Sequence, residues 1–237
     1  MDARHTRPHI EDSDMLQEVV YGLSHDMGTP VRVISQFIKL LEPQIAQKLN
    51  DKEAYWLSLI QQNSLQLQEM LNALLKYSRL STQDELTKSI DLNHIIDAVM
   101  SILVNQYPEH KIEVERDTLP QISAKPGQVY EVLFQLLDNA IKYSKANHAR
   151  IAIRGHRQDK HCHLCLIDHG IGIAESQLAF VTRPFMRAVA PADYPGMGMG
   201  LAYVKRIAHL NQDSFSIAPN KGEGTQINYA FKMAKEG

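Results

Sequence analysis

A histidine and an aspartate stand side by side near the start of the chain, within a segment of helical spacing. His25 and Asp26 are followed by Gly28, Thr29 and Pro30. A neutral imidazole is a nucleophile near neutral pH, and an adjacent carboxylate can orient the ring and accept its other proton. Pro30 removes the helical hydrogen bond to the carbonyl of Asp26, and Gly28 loosens the same turn. The segment therefore predicts a nucleophilic histidine on a weakened helix, although a surface histidine taken alone is more often inert.

Three side chains on a later helical segment could bind a nucleotide. Asn139 has an amide oxygen that suits Mg²⁺. Lys142 lies three residues further along the same helical face and could contact phosphate. Tyr143 offers an aromatic ring on which a base could stack. Together they predict a phosphate-binding and base-binding helix face.

Glycine-containing turns follow in three places. Asp168 comes directly after a strand pattern, where its carboxylate could accept a hydrogen bond from an adenine amino group while Gly170 and Gly172 allow close backbone approach. Thr225 ends a Gly-Glu-Gly-Thr turn before the last strand pattern. A glycine triplet also precedes a helix and leaves N–H groups aimed at phosphate: Gly196, Gly198 and Gly200, with Leu201 next.

Each glycine turn is a weak signal alone, because a Gly-x-Gly pair is most often only a turn. No Gly-Lys-Ser/Thr follows Gly200, which excludes a Walker-type loop. A dinucleotide-binding fold is disfavoured, because the glycines come late and after a loop.

Two long amphipathic helices must position His25. Their apolar residues recur at about every 3.5 residues, which is typical of a narrow packing seam. The seam of the first helix comprises Leu16, Val20, Leu23, Met27, Pro30, Ile34, Phe37 and Leu41, and that of the second Leu57, Ile60, Ser64, Leu67, Leu71, Leu74 and Ser78. Two copies of this hairpin would form a four-helix bundle, so the pattern predicts a homodimer. The alternative is a hairpin packed on the second half of the same chain.

His25 lies between the seam positions Leu23 and Met27, two residues from each. This spacing predicts that its side chain points towards solvent. Residues 49–52 form the turn between the helices, and residues 81–88 are polar and read as a hinge. The predicted domains are a helical hairpin over 1–82, a hinge over 83–90 and a nucleotide-binding domain over 91–237.

The second half mixes helices and strands. Helices are predicted over Asn93–Tyr107, Gly127–Ser144 and Met199–Leu210, and strands over Lys111–Glu115, Gln121–Ala124, Arg150–Gly155, His163–Ile167, Phe215–Ala218 and Thr225–Phe231. This order predicts an α+β sandwich with helices over one face of a mixed sheet.

Composition excludes several classes of protein. The chain has 237 residues, is 44% hydrophobic and carries a formal net charge of -2, which gives no reason to expect nucleic-acid binding. It contains neither an apolar run long enough to span a membrane nor a signal peptide, and with two cysteines it fits a reducing, cytoplasmic location. Cys162 and Cys165, flanked by His161 and His163, raise the question of zinc. In a strand their thiols point to opposite faces, so buried structural cysteines are preferred.

The run Ser-His-Asp-Met-Gly-Thr-Pro around His25 resembles the phospho-acceptor box of sensor histidine kinases, usually Ser-His-Glu-Leu-Arg-Thr-Pro. The resemblance implies that His25 is the phospho-acceptor and Asp26 the assisting acid/base residue. It also implies that Asp26 and Thr29 could support dephosphorylation of a partner. Gly28 stands where the family usually has Arg. A phospho-acceptor box without that Arg is similar to the boxes of phytochrome-type kinases.

The four later segments resemble the N, G1, G2 and G3 boxes of the ATP-binding domain of the same kinases. That domain is a sandwich of the Bergerat type, shared with gyrase-type and chaperone-type ATPases. The resemblance extends from about Leu16 to Phe231. It implies Asn139 on Mg²⁺, Asp168 on adenine, and Gly198 and Gly200 near the phosphates.

Residues 182–195 resemble the F box and lid of this domain, with Phe185 as its aromatic residue and Arg187 as its basic residue. Gln135 departs from the family, which usually has Asn there, while related ATPases carry a water-activating Glu. Because an amide is no base, Gln135 argues against ATP hydrolysis as the main activity and leaves phosphoryl transfer open.

The resemblance implies an ATP-dependent protein histidine kinase, acting as a homodimer, that phosphorylates His25 and passes the phosphoryl group to an Asp of a response-regulator receiver domain. No sensor region is recognisable, so a signal would come from a separate sensor protein or from a longer chain. Two alternatives stay open: a catalytically silent nucleotide-binding scaffold, and a Ser/Thr kinase that uses the same pocket.

Overall fold

The computed structural model describes residues 8–81, 85–190, 194–220 and 223–234, without the side chains of residues 8–21, 23 and 25. It divides into two compact units, Met1–Thr82 and Gln83–Gly237. Within the described part of the chain, no helix combines the length and the apolar character needed to cross a membrane.

The first unit is a hairpin of two helices, α1 (Pro8–Ile45) and α2 (Asp51–Arg79), joined through a short 3-10 turn at Ala46–Lys48. A capping box starts α2: the Asn50 side chain accepts from the Glu53 N–H, and the Glu53 carboxylate accepts from the Asn50 N–H. The hydroxyls of Ser35 and Ser64 lie 2.6 Å apart and join the two helices.

The hairpin contact uses a different face of α1 from the predicted seam. Of the α1 residues whose burial is described, Ser24, Gly28, Val31 and Ile38 are buried. Of the predicted seam, Met27, Ile34, Phe37 and Leu41 are exposed, whereas Leu16, Val20 and Leu23 lie outside the described side chains. The physical reason is that one helix can carry two apolar faces, and a single partner helix covers only one. The heptad spacing identified a real apolar stripe, but α2 does not cover it.

The second unit contains a five-stranded mixed sheet and a separate two-stranded ribbon. The large sheet has the spatial order β2 (Lys111–Arg116), β4 (His148–Gln158), β5 (His161–Asp168), β7 (Thr225–Lys232) and β6 (Ser214–Pro219). The β2–β4 pair is parallel and the other pairs are antiparallel. The ribbon pairs β1 (Lys88–Asp91) with β3 (Gln121–Ala124).

The described part of this unit also contains three α-helices, α3 (Leu92–Gln106), α4 (Pro126–Lys142) and α5 (Gly200–Asn211), and a short 3-10 helix at Glu175–Gln177. The core lies between helices and sheet, where α4 buries Val132, Leu133, Leu136, Leu137 and Ile141 and the strands bury Ile151, Ile153, Leu164, Leu166 and Tyr229. Burial of each such side chain contributes about 1.5–3 kcal/mol. The predicted order, a helical hairpin followed by an α+β sandwich, is confirmed.

Two local features bear on the sequence predictions. Residues 88–90, placed in the predicted hinge, belong to strand β1, and Ile90 is buried there. Along β5 buried and half-buried residues alternate, with Cys162 buried and Cys165 half-buried, so the two thiols lie on opposite faces of the sheet. Among the described residues, no cluster of three or more His, Cys, Asp or Glu is arranged to hold a metal ion.

Candidate functional site

A pocket in the second unit lies between α4, the end of β5, the segment after Val181, the start of α5 and β7. Nine of the residues predicted to bind a nucleotide line it: Asn139, Tyr143, Asp168, Gly172, Arg187, Gly198, Gly200, Leu201 and Thr225. Apolar side chains form much of the remaining wall: Leu136, Ile171, Ile173, Val181, Met186, Val189 and Ile227. The pocket is therefore an apolar slot with a few polar groups, as small-molecule sites usually are.

Asp168 forms the buried polar end of this pocket. Its Oδ1 accepts hydrogen bonds from the backbone N–H of Gly170 at 2.9 Å and of Thr225 at 3.1 Å. Burial raises the pKa of the carboxyl, and the two backbone hydrogen bonds oppose that rise. The carboxyl group is thus held in one orientation by two different strand ends.

The turn before β7 packs directly on the backbone of Asp168. Gly224 has a φ of +85°, and a Cβ there would lie 2.0 Å from the Asp168 carbonyl oxygen. Only glycine fits this position, because a side chain would have both an unfavourable φ and a backbone clash. Gly224 therefore allows the close approach by which the Thr225 N–H donates to the Asp168 carboxylate.

At the other end of the pocket, two amide side chains of α4 meet the first residue of α5. A Cβ on Gly200 would lie 2.7 Å from Gln135 Oε1 and 3.2 Å from Asn139 Nδ2. The first backbone N–H groups of α5 have no partner within their own helix and suit an anion. Amide oxygens are ligands that Mg²⁺ accepts, so this set of donors fits a nucleotide-bound Mg²⁺.

Lys142 borders a neighbouring depression and not the wall of the slot itself. Its Nζ lies 5.1 Å from the centroid of the Tyr143 ring, and that ring lies 5.2 Å from the ring of Tyr194. Burial lowers the pKa of Lys142; Asp138 opposes this and Arg187 adds to it. A Cβ on Gly196 would collide with Lys142 Nζ, so Gly196 gives the ammonium group its space.

Arg187 binds the backbone of its own segment. Its guanidinium donates to the carbonyl oxygens of Ala190, Tyr194 and Gly196. These hydrogen bonds link the two described parts of the predicted lid. Phe185 adopts a positive φ of 62° and does not line the slot. Residues 191–193 of the predicted lid lie outside the described residues.

Position 25 lies within α1, and the predicted solvent exposure of the His25 side chain lies outside the described part of the structure. Asp26 and Thr29 are exposed on the same helix. The Thr29 hydroxyl accepts a hydrogen bond from Arg32 at 3.4 Å. Helix α1 continues through Pro30.

Two residues near the site were not identified from the sequence. Glu131 accepts a hydrogen bond from Gln135 at 2.8 Å, and Tyr194 stands against Tyr143. The four-residue spacing of Glu131 and Gln135 on a helix was the available signal for the first pair. Tyr194 reaches Tyr143 only through the course of the loop, so no local signal marks it.

Two family models match the chain. Residues 15–83 match the His Kinase A (phospho-acceptor) domain, and residues 124–235 match the Histidine kinase-, DNA gyrase B-, and HSP90-like ATPase. The two matches coincide with the segment around His25 and with the pocket.

Curated relatives match over most of this chain. The phytochrome-like protein Cph1 of Synechocystis is 26% identical over 92% of this chain and 29% of its own length. The sensor histidine kinase YkoH of Bacillus subtilis is 28% identical over 96% of this chain and 50% of its own. The histidine protein kinase DivJ of Caulobacter vibrioides is 24% identical over 87% and 36%. The chain thus spans half or less of the length of these relatives.

Solved structures share the fold. Full-length ShkA in complex with AMPPNP superposes with a TM-score of 0.67 at 22% identity, covering 92% of this chain and 47% of that one. The Acinetobacter baumannii histidine kinase AdeS gives 0.59 at 20% identity, covering 89% and 98%.

Proposed function

The chain carries the catalytic core of the sensor histidine kinase family, and on this premise we propose that it transfers the γ-phosphoryl group of ATP to its own His25. The observation that carries the proposal is the pocket. A buried carboxylate occupies one end of it, and a helix N-terminus with two amide side chains occupies the other. Such a slot suits a ligand with an amino-bearing ring at one end and phosphates at the other.

The adenine would lie in the apolar slot with its amino group against Asp168. Because Gly170 and Thr225 hold Oδ1, the carboxylate is already oriented before the ligand arrives. Such preorganisation reduces the cost of binding, since no group has to be reordered. The Tyr143 ring, which lines the slot, would contact the base or the ribose.

The triphosphate would extend towards Gly198, Gly200 and Lys142. The N–H groups of α5 and the Lys142 ammonium would compensate its charge. Asn139 and Gln135 would hold Mg²⁺, which when bound neutralises phosphate charge and aligns the leaving group.

In the reaction, one imidazole nitrogen of His25 attacks the γ-phosphorus in line with the bond to the bridging oxygen. The P–N bond forms as that P–O bond breaks, and ADP leaves with the bond electrons. Asp26 accepts the proton from the other ring nitrogen. Gln135 cannot take a proton from water, which favours transfer to His25 over hydrolysis.

The phosphoryl group would then pass to an Asp of a partner receiver domain, and Asp26 with Thr29 could support its later removal. A signal would reach the core from a separate sensor protein or from further domains of a longer chain.

A homodimer is part of the proposal. On α1 the exposed fractions of Ile34, Phe37 and Leu41 are 50%, 60% and 48%, and on α2 that of Ile60 is 54%. This continuous apolar stripe requires a cover in water, and a second copy of the hairpin has a complementary one.

The test is incubation with γ-³²P-labelled ATP, followed by acid and base treatment of the protein. Wild type should acquire a label that acid removes and base does not, and His25→Gln should acquire none. His94→Gln, which changes an exposed histidine on α3, is the matched control and should retain the label. Label on His25→Gln would sink the assignment, an acid-stable label would indicate a Ser/Thr kinase, and ATP binding without label would indicate a silent scaffold.

A further inference from the structure

Gln135 and Glu131 form a hydrogen-bonded pair on α4, the helix that lines the pocket through Leu136, Asn139 and Ala140. They are one helical turn apart, both are half-buried, and Gln135 Nε2 donates to Glu131 Oε1 at 2.8 Å. The NH₂ group of the Gln135 amide therefore donates to a carboxylate, and a carboxylate can accept hydrogen bonds but not donate them.

The other end of the same amide faces the start of α5. Gln135 Oε1 lies 2.7 Å from the position that a Cβ on Gly200 would take, and Asn139 Oδ1 lies 3.6 Å from the same point. Gly200 and Asn139 both line the pocket. The Gln135 oxygen thus faces the first residue of α5, at the end of the pocket where the phosphates would lie. The Asn139 amide approaches the same point with its Nδ2 at 3.2 Å and its Oδ1 at 3.6 Å.

An amide has two ends of similar size and opposite character, and only its oxygen can bind a cation or a cation-bound water. Turning the Gln135 amide over would place its oxygen against the Glu131 carboxylate, where two acceptors repel each other. Glutamine also has one more rotatable bond than asparagine, so it needs an anchor that asparagine would not.

We propose that Glu131 is a positioning residue that holds the Gln135 amide oxygen towards the nucleotide-bound divalent cation, as a second protein oxygen beside Asn139. The inference rests on the proposed function only in taking a Mg²⁺–nucleotide complex as the ligand. Glu131 itself touches neither nucleotide nor cation and acts through Gln135.

The plain alternative is an ordinary helix pair that only stabilises α4. Pairs four residues apart do stabilise helices, but weakly. Such a role would change folding stability or affinity for nucleotide in general. It would not change the part of the affinity that depends on Mg²⁺, and this difference makes the two roles separable.

The experiment is calorimetric titration of the full chain with AMPPNP, once in excess MgCl₂ and once in EDTA. For Glu131→Ala, the gain in affinity that Mg²⁺ gives should fall about ten-fold or more, as is typical when the partner of a metal ligand is removed. Affinity in EDTA should stay as in wild type. Glu131→Gln should keep most of the gain, because its amide oxygen can accept the same hydrogen bond.

Gln135→Leu should lose the same gain, and adding Glu131→Ala to it should cause no further loss, since the two residues act as one unit. Glu115→Ala, which changes an exposed glutamate on β2, is the control for charge alone. If Glu131→Ala does not fold by circular dichroism, Gln135→Leu and Glu131→Gln carry the test.

An unchanged Mg²⁺ gain in Glu131→Ala or in Gln135→Leu would overturn the inference, and so would an equal loss in MgCl₂ and EDTA. If wild type binds Mg²⁺–AMPPNP with the expected gain but never labels His25, the proposed function fails while this inference stands.

Discussion

At the scale of single residues, the Asp168 carboxylate combines one anchored oxygen with a second oxygen that the proposed function assigns to the nucleotide. Its Oδ1 is held by the N–H groups of Gly170, which follows β5, and of Thr225, the first residue of β7. Burial raises its pKa, and the backbone donors oppose that rise. The second oxygen is then the one that can meet an adenine amino group.

Asp168→Asn should weaken AMPPNP binding by about 10–100-fold, the usual range for a hydrogen bond to a charged group. The amide oxygen of Asn would keep the bonds from Gly170 and Thr225. Its NH₂ would then face the amino group of adenine, donor against donor. Titration of both proteins with AMPPNP measures the effect. With an inosine-based nucleotide, which lacks that amino group, Asp168→Asn should not bind more weakly than wild type. Equal AMPPNP affinity would contradict this role of Asp168.

Residue types and spacing pointed to the groups that line the pocket, because each of them sits in a motif with its own chemical logic. Residue types and spacing could not indicate that Phe185 does not line the pocket. Nor could they indicate that the Arg187 guanidinium donates to the carbonyl oxygens of Tyr194 and Gly196. Those outcomes depend on the course of the loop, which local sequence does not determine. Glu131 was missed because a pair four residues apart is common on any helix.

At the scale of elements, helices and strands with clear periodicity could be predicted to within three residues, the largest difference being the end of β4, predicted at Gly155 and observed at Gln158. Strand β3 was predicted with the bounds observed, Gln121–Ala124. Strand β1 was missed, because four residues next to a polar segment carry little pattern. It exists because β3 offers a pairing edge, and Ile90 is buried there opposite Ile122. Pairing between distant segments is a tertiary effect that periodicity cannot report.

The joint between α5 and the sheet contains a pH-sensitive contact. Asp213, between α5 and β6, accepts a hydrogen bond from the Tyr229 hydroxyl of β7 at 2.9 Å. Burial raises the pKa of Asp213 to about 6, while the Tyr229 bond, Lys232 and His161 lower it. Between about pH 4 and 6 the native state keeps a proton that the unfolded chain has released, so stability falls as pH rises through this window.

Asp213→Asn should therefore raise the free energy of unfolding above pH 6 by about 1–2 kcal/mol. One pKa unit corresponds to roughly 1.4 kcal/mol, and partial exposure reduces the full value. The amide can still accept from Tyr229. Urea unfolding at pH 4.5 and pH 8 checks this, and the difference between the two proteins should be small at the lower pH. Asp159→Asn, at an exposed turn, is the control; a variant that is less stable than wild type at pH 8 would show the prediction to be wrong.

At the scale of the whole molecule, the apolar stripe on the hairpin is a feature that a single chain leaves exposed to water. The heptad spacing located it, but only the structure shows that α2 covers a different face of α1. A groove beside the stripe is lined by Val31, Ile34, Leu59, Ile60 and Leu67. Two hairpins placed together would cover both stripes, which gives the proposed dimer a physical cause independent of any resemblance.

Phe37→Glu should convert the proposed dimer into a monomer. Phe37 is 60% exposed in the single chain, and burying such a side chain contributes about 1.5–3 kcal/mol. In a two-fold symmetric dimer each substitution acts twice, so the dissociation constant should rise at least about a hundred-fold. Leu86→Glu, at an exposed leucine of the second unit, is the matched control and should leave the assembly unchanged. Light scattering coupled to size-exclusion chromatography, over a dilution series, gives the masses. If the Phe37→Glu protein remains dimeric at the wild-type concentration, the interface lies elsewhere. Its affinity for AMPPNP should match that of wild type, because the pocket lies within the other unit.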